Sequence, residues 1–259
     1  NNFSKSDFSD VKKLLNQTNP ILTQSKKVEE FEKKWSKWLG VRYSTFVSSG
    51  SSANYISISI LKVLNKNKYK NEIIVPTLTW ISDISSILLN GFKPIFVDIN
   101  LENLSMDIDQ VLKKINRKTL GIFITHAQGF NGLNDKLLKA INKHKLYLIE
   151  DVCESHGATY KNKKLGTFGL MSNFSFYYAH HMTTIEGGMI STNHKEIYEL
   201  SKIFRSHGMA RESKNQSYEK KLIKKFKNLS PQFIFLYPTL NFRNNEIGAC
   251  IGTVSYTHL

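Results

Sequence analysis

Short apolar runs alternate with stretches whose apolar residues recur every three to four positions, and this alternation organises most of the chain. Tyr43–Val47, Glu72–Val75, Pro94–Asp98, Gly121–Thr125, Tyr147–Glu150, Phe174–Tyr177 and Met189–Thr192 read as seven strands. Their length and their β-branched and aromatic content suit strands buried on both faces. Between most of them lie helical patterns, over Ser52–Leu64, Ile81–Leu89, Ile108–Ile115 and Leu137–His144. Upstream, Val28, Phe31, Trp35, Trp38 and Leu39 fall on one stripe of a helix over Val28–Leu39, with Gly40 as its stop. The alternation predicts an α/β fold, a mostly parallel seven-stranded sheet covered by helices.

With 259 residues, 41% of them hydrophobic, the chain can bury the core of one large domain. The formal net charge of +15 raises the question of an acidic partner, yet only five of the 36 basic residues are Arg, and the lysines are dispersed among Asn and Ile. The densest basic run, Lys214–Lys227, contains Glu219 and reads as a solvated loop or helix face. Neither nucleic acid nor a membrane is therefore expected as a partner. Cys153 and Cys250 are too few for a disulfide framework and show no metal-ligand spacing, which fits a reducing, cytoplasmic setting. No apolar stretch approaches the roughly 18 residues of a membrane span.

In open α/β sheets ligands bind beyond the carboxyl ends of the strands, so residues just after each run carry the chemistry. Ser48-Ser-Gly50-Ser51-Ser-Ala53 is a small-residue turn opening a helix. Its free N–H groups suit a phosphate, or it is simply a Ser cap with a closely packed Gly. Pro76-Thr-Leu-Thr-Trp80 sets an indole where it can lie against a flat ring, or be plain core. Glu150-Asp151 sets a carboxylate where it can hold a pyridine nitrogen protonated, or cap a helix. His126, after Gly121–Thr125, shares that edge. Further on, Ser175-Phe-Tyr-Tyr-Ala-His180-His181-Met-Thr-Thr-Ile-Glu186-Gly-Gly188 places an imidazole five residues after a Ser. Adjacent histidines at a strand end point apart and no third ligand has a recognisable spacing, so no metal site is expected.

These motifs, together with Val28-Glu-Glu-Phe-Glu, Glu150-Asp-Val-Cys-Glu-Ser-His-Gly-Ala158 and Gly166-Thr-Phe-Gly-Leu-Met171, resemble the DegT/DnrJ/EryC1/StrS family of pyridoxal-phosphate (PLP) nucleotide-sugar enzymes. The resemblance runs from about Val28 to Gly252 and is strongest to the 4-keto-6-deoxy-sugar 3-dehydratases. It implies PLP fold type I, aspartate aminotransferase-like. Residues 1–252 would be the cofactor-binding large domain, with a smaller C-terminal domain missing. Thr253–Leu259 departs from the family's pattern and is expected to be a truncation or non-native tail.

The resemblance also implies roles. Gly50, Ser51 and Ser175 would hold the cofactor phosphate, Trp80 would stack on its ring, Asp151 would pair with its ring nitrogen, and Glu154 would belong to the same set. His180 stands where the aminotransferases carry the Schiff-base Lys, and no Lys occurs between Lys164 and Lys195. An imidazole cannot hold the aldehyde covalently but can move protons near neutral pH. Asn241, in Leu240-Asn-Phe-Arg243, matches a residue that reaches the neighbouring subunit's cofactor, which implies a homodimer, although Thr239 and Leu240 depart from the family's Gly-Tyr. The implied reaction is 3-dehydration of a nucleotide-linked 4-keto-6-deoxy sugar by the pyridoxamine form (PMP), with glutamate as amino donor, in deoxysugar and lipopolysaccharide biosynthesis. A relative that finishes by reduction carries four cysteines after the region matching Arg205-Ser-His-Gly208. Two cysteines cannot ligate such a cluster, so no iron–sulfur centre is expected. The alternatives are a sugar aminotransferase and a non-catalytic nucleotide-sugar-binding relative.

Overall fold

The computed structural model describes residues 5–213 and 216–259. Nine strands occur among them. β1 (Tyr43–Val47), β2 (Glu72–Pro76), β3 (Lys93–Val97), β4 (Thr119–Thr125), β5 (Tyr147–Asp151), β8 (Met171–Ser175) and β9 (Gly188–Thr192) form one seven-stranded sheet, while β6 (Thr159–Tyr160) and β7 (Lys163–Lys164) form a small separate hairpin. The order in the large sheet is β1-β9-β8-β5-β4-β2-β3. Only β9 runs against its neighbours, pairing antiparallel with both β1 and β8. The carboxyl ends of the other six strands therefore share one edge.

Helices cover both faces, as a sheet buried on both sides requires. On one face α3 (Gly50–Leu64), α4 (Ile81–Leu89) and α7 (Lys195–Arg205) pack Ile56, Ile60, Ile87, Ile197 and Phe204 against Val47, Ile73, Phe123 and Ile149. On the other lie α2 (Lys26–Leu39), α5 (Ile108–Lys114), α6 (Asp135–His144) and α9 (Glu246–Ser255), with α1 (Lys5–Leu15) against α9. Trp35 of α2 is fully buried, edge-on to Phe174 at 5.0 Å and Phe176 at 4.9 Å. Truncating so large a core side chain costs about 3–5 kcal/mol.

Helix ends follow the residues present. Gly40, at φ +90°, stops α2 by donating its N–H to the Ser36 carbonyl at 2.9 Å. The other end of α2 has no cap of its own. Glu246, in the first turn of α9, accepts the N–H groups of Ser25, Lys27 and Val28 at 2.8 to 2.9 Å.

One strand differs from the expected position. The pattern predicts Phe174–Tyr177, whereas β8 spans Met171–Ser175, and Tyr177 and Tyr178 are exposed beyond it. Its early residues are polar yet buried because each finds a partner. Ser172 Oγ donates to the Gly166 carbonyl, and Ser57 Oγ donates to Asn173 Oδ1, both at 2.7 Å. Ser175 is thereby the last residue of the strand, at the carboxyl edge.

The basic run forms α8 (Gln216–Lys225), with Leu222 turned inward and Lys220, Lys221, Lys224 and Lys225 exposed; its first residue, Lys214, lies outside the described residues. Among the described residues no helix is long and apolar enough to cross a membrane.

Candidate active site

The turn leaving β1 carries backbone, not side chains, where it meets β5, β8 and β9. A Cβ on Gly50 would lie 2.7 Å from Ser175 Cβ and 3.0 Å from Cys153 Sγ, and one on Gly188 would lie 2.1 Å from the Ser49 carbonyl oxygen. Ser49 caps α3 reciprocally with Ser52. The Ser52 N–H donates to Ser49 Oγ at 3.1 Å, and the Ser49 N–H donates to Ser52 Oγ at 2.9 Å. Gly50 and Ser51 then head the helix with N–H groups that have no acceptor within it, at the positive end of its dipole. Gly50 thus lies beside Ser175, and the N–H end of α3 that it heads is suited to an anion.

Asp151 closes β5 and is only 3% exposed. Its Oδ1 accepts the Cys153 N–H at 2.9 Å, and its Oδ2 accepts from Asn54 Nδ2 at 3.1 Å. The same Asn54 nitrogen lies 2.6 Å from Asp83 Oδ1 and 3.0 Å from Ser82 Oγ. Asp83, on α4, is fully buried, with the Thr79 and Thr125 hydroxyls 2.5 and 2.9 Å from its Oδ2. Burial, then the adjacent Asp151, pushes Asp83 well above the usual carboxylate range. Desolvation and the same two carboxyls raise the Cys153 thiol as well.

The sequence pattern does not single out Asn54, Thr79, Asp83 or Thr125, which are polar positions on otherwise apolar elements. The one available signal is that Thr79 immediately precedes Trp80. Trp80 itself is 67% exposed at the start of α4, open to solvent beyond β2.

His180 lies in the loop between β8 and β9, its N–H donating to the Tyr177 carbonyl at 3.0 Å. Burial holds its imidazole below the ordinary 6.5; the Glu154 and Asp151 carboxylates pull it back up, and His181 lowers it further. Glu154 is fixed by Gln128, whose N–H and side-chain amide both donate to its Oε2, at 3.1 and 3.2 Å. Gln128 adopts a left-handed backbone, φ +54°, to do so. His181 is exposed. Behind the pair sits His156, 7% exposed, its ring 5.5 Å from that of His181 and 6.3 Å from that of His180. Burial, and then His181 and His180, push it down to about 3, with the Ser175 backbone working the other way. Its ring is neutral at pH 7.

Asn241 is exposed, its Oδ1 accepting the Arg243 N–H at 3.1 Å. The next residue anchors that segment to the glycine turn, the Phe242 carbonyl accepting the Ser48 N–H at 2.9 Å. His126 belongs to a different cluster. Its Nδ1 accepts the Gly132 N–H at 3.1 Å, which leaves Nε2 to donate to Glu150 Oε2 at 3.3 Å. Among the described residues no three His, Cys, Asp or Glu side chains are grouped to hold a metal ion.

A helix-capping glycine turn after β1, a buried carboxylate at the end of β5 and an imidazole in the loop after β8, all at the carboxyl edge of this sheet order, define an aminotransferase-type α/β domain. The chain belongs to the DegT/DnrJ/EryC1/StrS aminotransferase family, whose pattern matches residues 2–259. It is 36% identical over 236 residues to GDP-4-keto-6-deoxy-D-mannose 3-dehydratase of Escherichia coli O55:H7, covering 90% of this chain and 60% of that protein. It is 35% identical over 190 residues to GDP-perosamine synthase of Escherichia coli O157:H7, covering 73% of this chain and 51% of the relative. A solved structure of the Escherichia coli 3-dehydratase with bound hydrated PLP superposes with a TM-score of 0.86 at 30% identity, over 98% of this chain and 65% of that one. The chain thus spans about 60% of the length of the curated dehydratases it matches.

Proposed function

We propose that this chain forms the cofactor-binding part of a PLP/PMP-dependent 3-dehydratase acting on a nucleotide-linked 4-keto-6-deoxy sugar, with glutamate as amino donor. The observation that carries the reading is His180. A partly buried imidazole, its neutral form favoured by that burial, stands where the family resemblance would put the primary amine of a transaminating relative.

The residues present fit the cofactor. Gly50 and Gly188 let the turn pack directly against Ser175 and Ser49, which brings the N–H end of α3 beside Ser175, and Gly50, Ser51 and Ser175 would hold the phosphate there. Asp151 would face the ring nitrogen, Trp80 would cover the ring, and Glu154 would meet its polar edge. Bound in its amine form, the cofactor supplies a nitrogen for the sugar's 4-keto carbon and a sink for the electrons that expel the C3 hydroxyl. His180 would take the proton from the cofactor's C4′ carbon. Neutral at pH 7, it is ready to accept that proton, and a positioned base of this kind contributes about 10² to 10⁴ in rate. Asn241 would complete the site of a second copy, which makes a homodimer the working assembly.

Product analysis tests this directly. With GDP-, CDP- or dTDP-linked 4-keto-6-deoxy sugar and glutamate, the protein should release ammonia and 2-oxoglutarate and yield a 3,6-dideoxy-4-keto sugar. A stable 4-amino sugar with its C3 hydroxyl retained would return it to the aminotransferases. His180→Ala should lose about 10² or more in rate and His181→Ala far less, and the acid limb of the pH–rate profile should lie below 6.5. Equal losses at the two positions would refute the assignment of His180.

A further inference from the structure

A second carboxyl stands directly behind the first. Asp83 has no counterpart among the residues that the cofactor reading uses, yet it is fully buried and shares one Asn54 nitrogen with Asp151. Its other oxygen belongs to a closed triangle. Thr79 Oγ1 and Thr125 Oγ1 lie 2.5 and 2.9 Å from Asp83 Oδ2, and 2.7 Å from each other.

Three oxygen–oxygen edges at hydrogen-bond distance need three hydrogens. The two hydroxyls supply two. An ionised Asp83, which only accepts, leaves one edge as two oxygens in contact with no hydrogen between them. A protonated Asp83 completes the ring, each oxygen donating once and accepting once. Two buried carboxylates bridged by a single amide nitrogen are also a like-charge pair in a low-dielectric setting, where one of them keeps its proton.

We propose that Asp83 is a neutral carboxylic acid that acts as a positioning residue, holding the Asp151 carboxyl through Asn54 at the angle the cofactor's ring nitrogen requires. This rests on the reading of Asp151 given above. The direction of the Asp83 titration agrees with it, since burial and Asp151 both favour the neutral form. Of the two carboxyls, Asp151 is then left as the one to answer a cation, and Asp83 supplies rigidity without a second negative charge. Asp83→Asn preserves shape and neutrality, whereas Asp83→Ala frees Asn54 and opens the triangle.

Difference infrared spectroscopy of the cofactor-free protein at pH 7 should show the carbonyl band of a protonated carboxylic acid that disappears in Asp83→Asn. PLP titrated into the same proteins should bind Asp83→Asn within about threefold of the parent and Asp83→Ala and Asn54→Ala about tenfold or more weakly. Absence of the band, or an Asp83→Asn protein that binds as poorly as Asp83→Ala, would overturn the neutral-acid assignment. Asp151→Ala separates the two claims. Unchanged PLP affinity there would remove the role of Asp151, and with it the positioning role of Asp83, while the infrared band would still report Asp83's protonation.

Discussion

Glu150 and Asp151 are neighbours on β5, both buried, and they are treated in opposite ways. Successive side chains on a strand point to opposite faces, so the two carboxyls enter different surroundings. Glu150 accepts three backbone N–H groups, from Gly166, Phe168 and Gly169, at 2.6 to 2.9 Å, and faces His126 as well. Its charge is answered wholly from within the chain. Asp151 receives one backbone N–H and one shared amide nitrogen, and that nitrogen also serves a second carboxyl, Asp83. A buried anion is tolerable when fixed donors surround it, and costly when they do not. The contrast separates a carboxylate that the fold surrounds with donors from one that it leaves with few.

The comparison is broken most severely at Glu150. Glu150→Ala should strand three N–H groups, one buried and two half-buried, and cost about 3–5 kcal/mol, measured by urea denaturation. Asp151→Asn should leave stability within about 1 kcal/mol, because a neutral amide there avoids a buried charge and its oxygen can still accept from Asn54 or the Cys153 N–H, but should weaken PLP binding by about 2 kcal/mol, some thirtyfold, in a fluorescence titration. Equal stability losses at both positions would erase the distinction between them.

The pH dependence sharpens it. Asp83 holds its proton more tightly in the folded chain than its ordinary value of 3.8 allows, with Asp151 and Cys153 as the titratable groups facing it. The stability it contributes is whole below about pH 3.8 and is lost as pH rises through the raised value, by up to about 1.4 kcal/mol per unit. Thermal melts of the cofactor-free protein should show that slope, and Asp83→Asn should flatten it. The smallest effect is expected at Thr79→Val, which opens the hydroxyl triangle for about 1 kcal/mol in the same melts.

The legible part of this molecule was the part written in apolar periodicity and in residues at strand ends. Gly50, Asp151, Ser175 and His180 all follow or close strands, and the alternation placed most of those strands within a residue or two. Buried polar residues were illegible for the same reason. Ser172 and Asn173 look like turn residues until Gly166 and Ser57 supply partners, and that displaced β8. Asn54 and Asp83 sit on helices α3 and α4, where a polar residue reads as solvent-facing, and only the packing of the two helices against each other, α3 over β8 and β9 and α4 over β2 and β3, makes them internal. Long-range polar pairing leaves no local period to detect.

The Glu246 cap bears on how the chain is made. The start of α2 takes its acceptor from a residue more than 200 positions later, and β1 finds its sheet partner only when β9 arrives. On a ribosome adding about 5–20 residues per second, helix α2 and the first strand therefore wait on the order of ten seconds or more with an open end and an open edge. For that interval the nascent chain is exposed to chaperones, and a ribosomal pause before residue 246 would prolong it.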